Sequence, residues 1–158
     1  MRRVASICSS ACMAWLLFAA VAQAVTVYRD ALRGIQTAST ESDGVNLLLD
    51  AEGDLPGGLH VSLRRDGNRV TGGSWSLTVF PQDAGPTANE KGRLSGGVSG
   101  GTLTFNGDGA LTKAEAVRLI VQGGTGQHAG VKSGSGDINL SSDPENPSRL
   151  TGTLTLNL

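Results

Sequence analysis

Leu150-Thr151-Gly152-Thr153-Leu154-Thr155-Leu156-Asn157-Leu158 sets apolar residues against polar ones with a period of two. That period places the leucines on one face of a strand and the threonines on the other. The same pattern recurs upstream. Leu59, Val61 and Leu63 interleave with His60, Ser62 and Arg64, and Trp75, Leu77 and Val79 with Ser76 and Thr78. Val45-Leu47-Leu49-Ala51, Leu94-Gly96-Val98, Leu103-Phe105 and the run from Val131 to Ile138-Leu140 repeat it more loosely. About eight strands are expected, near 45–51, 59–65, 69–80, 92–98, 101–106, 115–122, 130–140 and 149–158, after a short run near 25–28, with residues 92–106 read as a Gly-rich hairpin. Many short strands at this spacing indicate a sandwich or a barrel. A last strand that can pair with an early one favours the barrel, because closure removes open edges.

The punctuation agrees. Pro56, Pro81, Pro86, Pro144 and Pro147 lie between the alternating runs, where no ladder donor is missed. Asp66-Gly67-Asn68 is a hairpin signal. The segment from Lys113 to Val121 opens with good helix formers, yet its Val-rich second half runs into Gly123-Gly124, so a strand is expected. The chain holds 23 glycines, ten of them in pairs at 57, 72, 96, 100 and 123, expected mostly at the ends of runs.

Charge and cysteine usage narrow the classes. With 13 Lys+Arg against 14 Asp+Glu there is no polybasic surface for nucleic acid and no acidic tail. Arg2 and Arg3 precede an apolar stretch from Ala11 to Ala22, and Ala22-Gln23-Ala24 matches the small-x-small signal of signal peptidase. The expected organisation is a cleaved signal peptide over 1–24 and one domain over 25–158, exported to the periplasm or outside the cell, without a transmembrane span in the mature chain. Both cysteines, Cys8 and Cys12, fall in the prefix, which excludes disulfides, thiolate metal sites and a cysteine nucleophile from the mature domain. Tyr28, Trp75, Phe80 and Phe105 are too few aromatics for the girdles of an outer-membrane barrel.

Gly123-Gly124-Thr125-Gly126-Gln127-His128-Ala129-Gly130-Val131 reads as a tight or bulged structural turn between two strands. No helix begins after it, so it is no phosphate cradle. With the following Gly134-Ser135-Gly136, this stretch resembles the GGTG hairpin of the dirigent and allene oxide cyclase barrel-like superfamily, in particular its small exported bacterial members. The likeness extends over roughly 45–158 and takes in Val70-Thr71-Gly72-Gly73-Ser74-Trp75 and Gly152-Thr153-Leu154. It implies an all-β, eight-stranded antiparallel, calycin-like barrel with a central cavity. Members include a cyclase acting on a fatty-acid epoxide and proteins that orient phenoxy radicals. No catalytic residue of either activity aligns to this chain, and His128 stands where an aromatic residue is usual.

Three other motifs are weaker. Gly97-Val98-Ser99-Gly100-Gly101 matches the nucleophile elbow, but that motif needs a strand-to-helix turn in an α/β sheet. Asn106, Asp108 and Glu115 fall on the spacing of a calcium loop whose first position here is Thr104. His60 and His128 have no second ligand at a recognisable metal spacing. The expected function is therefore binding of a small apolar or amphipathic molecule in the barrel cavity, with Trp75 and Phe105 lining it, without catalytic residues, metal or cofactor. An isomerase or cyclase working inside the barrel, and a structural or surface-interaction protein, are the alternatives.

Overall fold

The computed structural model describes residues 24–82 and 89–158. Eight antiparallel strands close into one barrel in chain order: β1 (Val27–Thr37), β2 (Gly44–Gly53), β3 (Gly57–Asp66), β4 (Arg69–Val79), β5 (Gly92–Phe105), β6 (Leu111–Gly126), β7 (Gly134–Ser142) and β8 (Leu150–Asn157). No helix occurs among the described residues. Closure is made by β8 on β1, from Val27↔Asn157 to Gly34↔Leu150. The predicted signal peptide lies outside the described residues apart from Ala24, and so does Pro86; the other four prolines lie between strands.

Most of the alternating residues point inward. Leu47, Leu59, Leu63, Leu77, Leu94, Leu119 and Leu154 are at most 2% exposed, as are most of the other inward apolar side chains. Leu55, from the β2–β3 turn, is 4% exposed and joins this core at one end. Burial of this kind stabilises by roughly 25 cal/mol per Å² of apolar surface, and here it works without any disulfide. The Asp66-Gly67-Asn68 signal is realised: Asp66 pairs with Arg69 and Gly67 takes φ +57°.

Three expectations need correction. Residues 92–98 and 101–106 are not two strands of a hairpin; they are one strand, β5, whose register with β6 shifts at several bulges. β1 reaches Thr37 rather than ending near 28. The glycine pairs at 72, 96 and 100 lie in strand interiors rather than at their ends, whereas Gly57-Gly58 opens β3 and Gly123-Gly124 stands near the end of β6. At Gly57, Gly96 and Gly152 a Cβ would collide with a carbonyl oxygen of the neighbouring strand (Thr78, Ile120 and Asn139), so close backbone approach selects glycine there.

β5 and β6 are bulged opposite one another. Pairing slips between Val98 and Thr102 on β5, and between Ala114 and Val117 on β6 against β7. Ala116 in the second bulge has φ +48°, and its N–H is held by Asn139 Oδ1 at 2.9 Å. A Cβ in this left-handed region is unfavourable by about 1–2 kcal/mol. Ala116→Gly should therefore raise stability by about 1 kcal/mol in urea unfolding; no gain would mean that the bulge relaxes around the methyl group.

Candidate functional site

Trp75 belongs to the buried core and Phe105 packs against it from the end of β5. Trp75 is 3% exposed and sits inside the barrel wall. It lies opposite Gly96 of β5, and its Nε1–H donates to the Ile120 carbonyl of β6 at 3.2 Å, reaching across the strand that carries the glycine. Phe105 ends β5, half-buried, with the Arg65 guanidinium 4.4 Å above its ring. The buried apolar side chains of the inner wall are at most 4% exposed, except Val98 at 7%, and leucine and valine dominate among them. Asp30 is the sole buried charged side chain among the described residues. Its Oδ1 accepts the Leu55 N–H at 2.8 Å and its Oδ2 has no partner. Burial, aided by nearby Asp54, pushes its carboxyl above the ordinary range against the opposing pull of backbone N–H groups.

The glycine-rich stretch is structural. Gly123, Gly124, Thr125 and Gly126 finish β6 and pair with Ser95, Leu94, Arg93 and Gly92, while the turn itself spans 127–130. Gly126 has φ +59°, and a Cβ on Gly124 would collide with the His128 carbonyl. Burial holds the His128 imidazole below its ordinary range. Gly97-Val98-Ser99-Gly100-Gly101 runs through the bulged part of β5, where no helix follows. Asn106 and Asp108 both accept the Ala110 N–H through Oδ1 and so build the β5–β6 turn, while Glu115 pairs with Lys113. No group of three or more His, Cys, Asp or Glu is placed to hold a metal among the described residues.

A concavity lies on the outer surface. A groove of about 660 Å³ crosses β1 to β4, lined mainly by apolar surface. Register explains it. Ile35, Leu48, His60 and Ser76 form one cross-strand row of outward side chains, and Arg33, Asp50, Gly58 and Thr78 form the next. Ile35 and Leu48 are 48% and 49% exposed, unusual for such large apolar groups in a packed barrel. Phe80 closes one end and Arg149 reaches in from the β7–β8 loop.

Gly58 is the floor. Its φ is not positive and a Cβ there would meet nothing within 4 Å, so neither backbone nor packing asks for glycine. Its chain neighbour Gly57, by contrast, admits no Cβ. Sequence reading missed this groove because its residues come from four strands. The signals that were available are Leu48, which breaks the alternation of Leu47 and Leu49, and a second glycine after the one the strand needs.

No protein-family model matches this chain, and no curated protein or solved structure matches it either. The groove combines an apolar wall (Ile35, Leu48, Phe80) with hydroxyl, imidazole, carboxylate and guanidinium groups. Arg33 and Arg149 form no ion pair among the described residues. Such a surface suits a molecule with one apolar and one polar end.

Proposed function

We propose that this protein is a non-enzymatic exported barrel that binds a small amphipathic molecule, and that the ligand sits in the outer groove over Gly58 rather than within the barrel. The resemblance to small exported members of the dirigent and allene oxide cyclase barrels supports export and a barrel scaffold. What carries the seat is the glycine floor, open where folding does not require it. The leucine- and valine-rich inner wall supports an outer seat over an inner one, and Asp30 is the one buried charged side chain among the described residues. Apolar side chains kept exposed beside unpaired arginines match a ligand with an apolar body and an anionic head.

The test is Gly58→Leu with the fluorescent amphiphile 1-anilinonaphthalene-8-sulfonate as probe. A leucine fills the groove and removes a strand glycine, which costs roughly 0.5–1 kcal/mol relative to alanine. The variant is expected to melt no lower than the parent while binding the probe about tenfold or more weakly, a loss of ~1.4 kcal/mol of contact. Undiminished binding by a folded Gly58→Leu variant would overturn the proposal.

A further inference from the structure

A second depression, independent of the groove, lies over the bulged part of β5 and β6. It measures about 670 Å³, and Asp66, Asn68, Arg69, Ser99, Gly100, Gly101, Thr102, Glu115, Ala116 and Arg118 line it. Three features mark it as built. The β4–β5 ladder runs from Val79↔Gly92 to Ser74↔Gly97 and resumes only at Arg69↔Thr102, which leaves an opening above Gly100. Facing bulges place Glu115 and Ala116 outward together, with Ala116 kept in a backbone conformation that costs energy. Gly100, opposite Arg118, again has open space where a Cβ would stand and no positive φ.

The chemistry differs from that of the groove. Arg69 and Arg118 form no ion pair among the described residues, whereas Glu115 is engaged by Lys113. Two guanidiniums offer fork-shaped donors suited to a carboxylate. Around them stand the hydroxyls of Ser99 and Thr102, the Asn68 amide and the Asp66 carboxylate, able to exchange hydrogen bonds with hydroxyl groups. No aromatic ring lines the depression, so stacking contributes nothing. Because Asp66 and Glu115 also line the depression, a singly charged carboxylate fits it better than a phosphate, which carries more negative charge. We propose that this depression is a binding site for a small polyhydroxylated carboxylic acid of the uronic-acid class, its carboxylate on Arg69 and Arg118 and its hydroxyls on Ser99, Thr102, Asn68 and Asp66.

The experiment follows backbone amide resonances of the full mature chain on titration with sodium glucuronate at millimolar concentration. Saturable shifts centred on Ser99–Thr102 and Arg118 are expected, with none from glucose, which lacks the carboxylate. Arg118→Gln changes an exposed side chain and should weaken glucuronate by about tenfold or more, the scale of one charge-assisted contact. Gly100→Leu should abolish the shifts and leave the melting temperature unchanged. Glucuronate shifts that persist in Arg118→Gln, an equal response to glucose, or a response to inorganic phosphate alone would each overturn the site. Because the two depressions share no lining residue, failure here leaves the groove untouched, and the converse holds.

Discussion

Trp75→Ala is expected to lower the stability of the barrel by about 3–5 kcal/mol, the range for removing a buried tryptophan or phenylalanine. The size follows from where the indole lies. Trp75 is 3% exposed, faces Val61 on one side and Gly96 on the other, and fills the width that Gly96 leaves empty in β5. Its N–H holds the Ile120 carbonyl, tying β4 to β6 over a strand whose own residue contributes no side chain. Truncation would open a hole at Gly96 that the closed barrel cannot collapse to fill. A domain of this size has a total stability of about 5–15 kcal/mol, so the loss is a large part of it. Urea unfolding at low temperature gives the measurement. Trp75→Phe keeps most of the packing and loses the hydrogen bond, so it should fall about 1–2 kcal/mol short of the parent. A Trp75→Ala loss below about 1 kcal/mol would mean that the indole borders free space and would restore it as a cavity-lining residue.

The fold was legible wherever inward positions are apolar. Leu59-Val61-Leu63, Trp75-Leu77-Val79 and Leu154-Leu156 all lie inside, on strands near their expected bounds. β1 was hidden because its inward face carries Asp30, Gly34 and Gln36 alongside Tyr28 and Leu32. With three of these five residues not apolar, period two leaves little trace. β5 was divided for a different reason. Its bulges shift which residues face inward between Val98 and Leu103, so alternation stops and restarts within one strand. Glycine misled in the same region, since turns and close strand approach both select it and the sequence does not distinguish them. The groove and the polar depression were the least legible. Their residues share a surface only through cross-strand register, as with Ile35, Leu48 and His60, and outward side chains carry no periodic signal of their own.

Asp30→Asn is expected to flatten the dependence of stability on pH, and to gain on the parent as pH rises. Asp30 is 3% exposed, joined by Oδ1 to the Leu55 N–H and unpartnered at Oδ2. Burial comes first among the causes that raise its carboxyl above the ordinary value of 3.8; the Asp54 charge adds to it, and N–H groups of Leu55 and Asp54 oppose it. The folded state therefore holds the proton more tightly than the unfolded chain. Between the ordinary value and the raised one, the folded protein binds more protons, so stability falls as pH rises through that window. Below 3.8 both states are protonated and the term is fully favourable; above the raised value both are ionised and it is lost. Asparagine keeps an acceptor for Leu55 and cannot ionise, so its advantage should be small at acid pH and largest at neutral pH. Asp30→Ala separates the hydrogen bond from the charge. It leaves the Leu55 N–H buried without a partner, at a cost of about 1–3 kcal/mol that should appear at acid pH as well. Arg29 lies beside this end, where its N–H donates to Asp54 Oδ2 at 2.8 Å, and Asp54 is exposed. Asp54→Asn should accordingly move the profile much less than Asp30→Asn does. Thermal unfolding of the parent and the three variants at acid and neutral pH decides the matter. Parallel profiles for the parent and Asp30→Asn would show that Asp30 is not the group whose ionisation costs the barrel stability.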